Sequence, residues 1–185
     1  DPWKARYRTQ TREYKSPAVC SMFRTFQGWT ALTSQGPSDG TLSLIPISNS
    51  IGFLLMRALQ DDIDDDDLCK ALPGHALSAT PEYHKDILGG LISIPQVHPG
   101  DTVWWHPDII HSLADEHSGS EYANVIYIGA SPKCLKNESY ARIQSKKFLY
   151  GESPSDFAPE NYEVDFKGRA KLEDLTELGR IQMAL

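Results

Sequence analysis

Hydrophobic positions in the first two thirds of the chain follow the spacing of β-strands. Residues 17–33 are rich in β-branched and aromatic side chains without a helical stripe, which predicts one long strand or two. Residues 41–47 alternate leucine with hydroxyl side chains before a proline, which predicts a further strand. Residues 90–115 predict a strand, a turn and another strand, and residues 123–132 predict a strand closed by Ser-Pro.

Helical patterns lie between these strands and after them. Capping residues followed by an apolar run predict a helix at about residues 50–60, and a short helix is expected at about 81–89. Residues 134–151 are amphipathic at helical spacing and end in glycine, and a helix is also expected over residues 171–185. Because strands and helices do not alternate regularly, the pattern predicts an α+β protein with an all-β core, an antiparallel sheet or barrel, and flanking helices.

Composition and charge restrict the function classes. The chain of 185 residues carries a net charge of −7, which argues against a general nucleic-acid or membrane-surface binder and leaves a small molecule as the expected partner. A basic segment at residues 4–12 is interpreted as part of a solvated N-terminal arm. Three widely spaced cysteines, no signal peptide and no long apolar run predict a cytoplasmic protein. The sequence begins without methionine, so we expect a piece of something longer.

An acidic run at residues 61–67, "DDIDDDD", raises the question of a calcium site. A calcium loop of the EF-hand type needs alternating oxygen ligands, a glycine at its sixth position and a glutamate at its twelfth. None of these features is present, so the run is interpreted as a solvated acidic loop.

The stretch "PGDTVWWHPDIIHS", residues 99–112, carries the candidate chemistry. Histidine is the commonest metal ligand, and two histidines and an aspartate lie here within six residues, at His106, Asp108 and His111. On a straight strand His106 and Asp108 share one face and His111 lies on the other, although Pro107 could accompany a bulge that turns His111 back. Three residues this close on a strand cannot readily surround one metal, so they are not a complete site.

Several segments resemble a known enzyme superfamily. "PGDTVWWHPDIIHS" resembles the segment of the 2-oxoglutarate- and iron(II)-dependent oxygenases that carries the distal metal histidine, and "FQGWTALTSQGPSDGTLSLIPIS" is similar to the strand, turn and strand that precede it. The set "SMFRTFQGWTALT", "GDTVWWHPDIIHS", "NVIYIGASPKC" and "GRAKLEDLTELG" resembles the YbiU-like family within that superfamily over nearly the whole chain.

This resemblance implies a double-stranded β-helix, a cupin-like jelly roll that is incomplete in this chain. Its C-terminal portion would occupy residues 17–132, after an arm at 1–16 and before a helical extension at 133–185. It also implies Fe(II) held by two histidines and a carboxylate, and 2-oxoglutarate as cosubstrate, which is decarboxylated to succinate while a small molecule is hydroxylated. His111 matches the distal ligand, and His106 would lie beside the site without touching the metal.

The other two ligands of that superfamily come from a His-x-Asp motif upstream, and no histidine precedes Trp29 in this chain. The local strings His84-Lys-Asp86 and His106-Pro-Asp108 do not fit the family's order or spacing. We therefore expect the proximal motif to be absent from this chain, and the chain alone to be inactive.

The family's usual arginine for 2-oxoglutarate is also missing, because residues 111–129 contain neither arginine nor lysine. Arg24 is the best substitute for binding the cosubstrate carboxylate, with Asn124 and Tyr127 as polar helpers, although a strand-edge ion pair is an equal alternative for Arg24.

Two competing functions remain open. The first is a cupin-like domain that binds a metal or ligand without catalysis. The second is a zinc hydrolase that uses His84, His106 and His111.

Overall fold

Among the described residues, the strands form two small antiparallel sheets of three strands each, and the secondary structure is of the α+β type. The computed structural model describes residues 22–47, 49–72 and 75–185. The strands are β1 (Phe26–Ala31), β2 (Leu42–Leu44), β3 (Ile92–Ser93), β4 (Thr102–Trp105), β5 (His111–Leu113) and β6 (Val125–Ala130). The first sheet has the order β4-β1-β6, and the second has the order β3-β2-β5.

In the part of the chain that the structure describes, four α-helices and two short 3-10 turns lie between and after the strands. The helices are α1 (Ser50–Arg57), α2 (Pro81–Leu88), α3 (Leu135–Tyr150) and α4 (Glu177–Gln182), and the 3-10 turns are Leu68–Lys70 and Leu172–Asp174. The expected helices at about 50–60, 81–89 and 134–151 are thus confirmed. The helix expected over 171–185 is shorter, because Thr176 caps a new start by accepting from the Gly179 N–H.

The described chain divides into two compact units. Residues 24–130 hold all six strands with α1 and α2, and residues 131–185 together with Met22 and Phe23 hold α3 and α4. The expected strand over residues 17–33 is confirmed as β1 for its second half, whereas residues 17–21 and the arm at 1–16 lie outside the described residues. No helix in the described ranges is long and apolar enough to cross a membrane.

The core of the strand unit includes apolar side chains from one face of each sheet. In β1 the alternating residues Trp29 and Ala31 are buried, and Trp29 lies opposite Val103 of β4 and Tyr127 of β6. In the second sheet Leu42 is buried on the corresponding face. The buried core cluster consists of Trp29, Ala31, Leu42, Ile94, Val97 and Trp105.

In the C-terminal unit, α3 begins and ends at specific contacts. Asn137 is buried, accepts from the Phe23 N–H at 2.7 Å and donates to the carbonyls of Phe23 and Pro132. The helix stops at Gly151, whose φ of 72° is left-handed and whose N–H bonds the carbonyls of Lys147 and Phe148. The glycine that the sequence placed at the helix end therefore has the conformation that glycine tolerates best.

Gly28 provides a test of how tightly β4 packs on β1. A Cβ added there would lie 2.7 Å from the Val103 carbonyl oxygen and 2.8 Å from the Trp104 ring. We expect Gly28→Ala to reduce the free energy of unfolding by about 1–3 kcal/mol, because the backbone or the indole must move. Chemical denaturation measures it.

Gly52, in the first turn of α1, is the matched control because a Cβ added there would meet no atom within 4 Å. Gly52→Ala should be neutral or stabilise by about 0.5–1 kcal/mol, since alanine is the better helix former. Equal losses in both variants would contradict the packing described for Gly28.

Candidate functional site

The segment between Trp105 and His111 carries the chain from one sheet to the other. β4 ends at Trp105 in the first sheet, and β5 begins at His111 in the second. Between them the Ile109 N–H donates to the His106 carbonyl at 2.9 Å, which closes a turn that contains Pro107. The straight strand on which His106, Asp108 and His111 would alternate does not form, because proline cannot donate to a ladder and the chain leaves the sheet there.

After this crossover, His111 is an exposed residue of the second sheet. His111 lies directly opposite Leu44, and directly opposed residues in an antiparallel pair share a face. That face is the one on which Leu42 is buried. The His111 ring lies 5.5 Å from the ring of Trp105, so the two residues that flank the crossover meet.

The hydrogen bond of His111 fixes which ring nitrogen is free. Its Nδ1 lies 2.8 Å from the Ile109 carbonyl oxygen. A carbonyl oxygen can only accept, so in the neutral imidazole Nδ1 carries the proton and Nε2 keeps its lone pair. Metal-binding histidines commonly have this arrangement, in which the other ring N–H donates to a backbone carbonyl. His111 is therefore prepared to bind a cation through Nε2.

A cavity of about 410 Å³ lies against His111 and residues of both sheets. Two residues predicted from the sequence, His111 and Tyr127, line it. Asn124 and Arg24 are not among its described lining residues; Arg24 lies two residues before β1, and the Asn124 carbonyl accepts from the Leu32 N–H at 2.9 Å. Tyr127, one of the three candidate cosubstrate residues, thus lines the same cavity as His111, the candidate metal ligand.

Three polar residues of this cavity are not predicted from the sequence as site residues: Gln35, Thr41 and Trp105. Gln35 is 2% exposed, and its side-chain oxygen accepts from the Thr41 hydroxyl at 2.9 Å. Trp105 is also buried, and its indole N–H finds no acceptor among the described residues. A buried donor without a partner is costly, so Trp105 is a candidate to donate to a bound molecule. No local sequence signal reveals Gln35, because its burial depends on a bridge to Val97, far along the chain.

His106 lies apart from these contacts. Its ring meets the edge of Phe26 at 5.8 Å, and its Nδ1 accepts from the Asp108 N–H at 3.2 Å. The Asp108 carboxylate lies 3.6 Å from the same nitrogen. Asp101 is a turn residue, whose carboxylate accepts from the His98 N–H at 2.8 Å.

The three histidines of the zinc alternative do not form a site. His84 is 1% exposed inside α2, and its Nδ1 accepts from the Thr80 N–H at 3.0 Å. In the part of the chain that the structure describes, no three His, Cys, Asp or Glu side chains lie close enough to hold a metal ion. The described residues therefore supply one metal-ligand candidate, His111, and no complete set.

The buried His84 makes stability depend on pH. Burial, and secondarily the charge of Arg57, lowers the pKa of His84 below its usual value. The unfolded chain therefore takes up the proton first, so stability is constant above pH of about 6.5 and falls as the pH drops below it. The slope contributed by one proton is at most about 1.4 kcal/mol per pH unit.

Urea unfolding between pH 7.5 and 5 measures this dependence. In His84→Asn, whose side-chain oxygen can still accept from Thr80, we expect a shallower loss of stability in acid. The exposed His75 gives the control, and His75→Asn should retain the full slope. An unchanged slope in His84→Asn would contradict the assignment.

Two carboxylates of the acidic run at residues 61–67 accept hydrogen bonds from nearby side chains. Arg57 donates to both carboxylate oxygens of Asp62 at 2.7 Å, and this pairing lowers the pKa of that carboxyl. Lys70 and the hydroxyl of Tyr83 both donate to Asp67. These contacts support the interpretation of the run as a surface loop.

Comparison with known proteins places the chain in a family. The sequence profile described as Gig2-like matches residues 1–185. The chain belongs to the Gig2-like family. It is 42% identical over 182 residues to a protein of Escherichia coli strain K12 named "Uncharacterized protein YbiU", which agrees with the resemblance seen in the sequence.

Solved structures of Gig2-like relatives share the fold. A Salmonella typhimurium LT2 protein named "Putative Oxidoreductase" is 40% identical, with a TM-score of 0.84 over 94% of this chain and 42% of its own. GlcNAc Inducible Gene 2 of Candida albicans is 27% identical, with a TM-score of 0.74 over 89% of this chain and 41% of its own. The alignment with the Escherichia coli protein covers 97% of this chain and 43% of that protein, so the chain spans less than half the length of these relatives.

Proposed function

We propose that this chain is the His111-bearing part of an Fe(II)- and 2-oxoglutarate-dependent oxygenase. The observation that carries the proposal is the state of His111, with Nδ1–H bound to the Ile109 carbonyl and Nε2 free beside a cavity. The name of the Salmonella typhimurium relative, "Putative Oxidoreductase", agrees with this reaction class.

The strand order supports a jelly roll that other residues complete. In an eight-stranded jelly roll, strand 1 pairs with 8, 2 with 7, 3 with 6 and 4 with 5, and strand 3 lies beside 8 and 4 beside 7. Assigning β1 to β6 as strands three to eight reproduces every pairing of both sheets. The remaining two strands would then lie at the outer edges of β6 and β5, which have no partner strand within the described ranges.

This topology gives a place for the missing ligands. The strand that would pair with the outer edge of β5 runs beside His111. A His-x-Asp on that strand would place a histidine and a carboxylate next to Nε2, completing two histidines and one carboxylate. The relatives are more than twice as long as this chain, so we propose that the motif lies in the part of the protein outside it.

The residues of this chain fit one ligand position of the iron site. His111 would hold the metal through Nε2, while the Trp105 indole N–H and the Tyr127 hydroxyl are donors for the carboxylates of 2-oxoglutarate. Arg24 and Asn124 stay predictions for the same role. When bound, Fe(II) would activate dioxygen, which is the oxidant, and 2-oxoglutarate would supply two electrons and leave as succinate and carbon dioxide.

An assay of succinate release tests the reaction class. A form of the protein as long as its relatives should bind Fe(II) under anaerobic conditions and release succinate from 2-oxoglutarate when oxygen is admitted. The 185-residue chain alone is expected to release none. A full-length protein that binds iron but never consumes 2-oxoglutarate would overturn the oxygenase and favour the cupin-like binding domain instead.

A further inference from the structure

A second cavity also has His111 in its lining. It has a volume of about 320 Å³ and lies between the two helices inserted after β2 and the crossover that precedes β5. Ser112 and His111 line it, as they line the first cavity. His111 is thus reached from two separate spaces.

Aliphatic side chains make up most of the second cavity. They come from α1, from α2 and the residues just after it, and from the crossover; the main ones are Ile51, Leu54, Leu88, Leu91, Ile109 and Ile110. These aliphatic side chains bind apolar surface, and the rest of the lining includes the polar residues Ser78, Asp108, His111 and Ser112. At roughly 30 Å³ for each non-hydrogen atom, the volume fits a molecule of about ten such atoms.

One carboxylate lines the cavity, and it sets the charge of the ligand. Asp108 and the imidazole of His111 are the only ionisable groups among the described lining residues. The Asp108 N–H donates to His106 Nδ1 at 3.2 Å, and the exposed Asp108 carboxylate lies 3.6 Å from the same nitrogen. A carboxylate favours a hydrogen-bond donor or a cation and repels an anion.

We propose that this cavity is the substrate site and that it takes a small aliphatic molecule with an amine or hydroxyl end toward Asp108. Calling this cavity a substrate site rests on the proposed function, in which His111 would hold the metal. The first cavity, which contains Gln35, Thr41 and Trp105, would then bind the cosubstrate.

Direct binding to the 185-residue chain tests the site without metal or turnover. Titration calorimetry with n-octylamine, n-octanol and n-octanoate should show binding of the amine and the alcohol, and binding of octanoate should be at least about fivefold weaker than that of octylamine. Absence of octylamine binding, or stronger binding of octanoate, would overturn the proposal.

Two pairs of variants locate the ligand. Ala79 lines the cavity, and Ala79→Leu should weaken octylamine binding about tenfold or more by filling it, whereas Leu55→Phe, at an exposed position that does not line it, should not. Asp108→Asn should remove the preference for octylamine over octanoate, and Asp115→Asn should keep it. Unchanged octylamine affinity in Ala79→Leu, or an unchanged preference in Asp108→Asn, would place the ligand elsewhere.

The outcomes separate this inference from the proposed oxygenase. If the aliphatic ligands bind and the variants change binding as expected, but the longer protein never releases succinate, the cavity is still a ligand site. It is then not the substrate site of an oxygenase. Succinate release by the longer protein without any aliphatic binding overturns the inference alone.

Discussion

Replacing His111 with alanine should strongly weaken Fe(II) binding in a form of the protein that has the length of its relatives. His111 is the one metal-ligand candidate among the described residues that faces a cavity with a free ring nitrogen, because Nδ1 is bound to the Ile109 carbonyl. Loss of one of three protein ligands should weaken the metal by about a hundredfold or more, since changes even outside the ligand set cost roughly 10- to 100-fold. Anaerobic titration with Fe(II) measures the dissociation constant.

His106→Ala is the matched control for that experiment. It removes a histidine five residues away whose ring contacts Phe26 and Asp108. We expect a weakening of at most about tenfold. Equal losses in both variants would mean that the two histidines have been assigned the wrong roles, and retention of iron in His111→Ala would remove His111 from the site.

The largest effect on stability is expected at Trp29. Its indole is 4% exposed and belongs to the core cluster that joins both sheets. Trp29→Ala should lower the free energy of unfolding of the strand unit by about 3–5 kcal/mol, because it removes a large buried aromatic side chain and leaves a cavity. Denaturant unfolding followed by far-UV circular dichroism measures the loss.

Trp104→Ala is the control for Trp29, since Trp104 lies on the opposite face of the same sheet. It is 46% exposed and lies opposite Gly28. Its removal should cost about 1 kcal/mol, because much of its surface is already in water. A loss at Trp104 as large as that at Trp29 would contradict the assignment of inner and outer faces.

Local signals in the sequence are sufficient to predict most of the secondary structure. The apolar spacing over 134–151 and its final glycine predict a helix, and α3 ends at Gly151 as expected. The strand predicted at 123–132 is confirmed as β6. These elements depend on nearest neighbours along the chain, so their residues carry the information directly.

Features that depend on distant residues cannot be predicted in the same way. The sequence indicates only a bulge or bend near Pro107, whereas the chain changes sheets between Trp105 and His111. The burial of Gln35 depends on Thr41 and Val97, and the free Trp105 indole depends on the packing of both sheets. The metal role of His111 is a prediction from resemblance, and the structure adds a physical reason for it, namely that Nε2 is available.

The position of iron relative to His111 tests the central claim most directly. We expect crystals of a full-length form, grown anaerobically with Fe(II), to show an anomalous iron peak about 2.1 Å from His111 Nε2, the usual distance for a histidine nitrogen on a divalent metal. A histidine and a carboxylate from the strand beside β5 should complete the ligands. Iron bound away from His111, or bound through its Nδ1, would contradict the account.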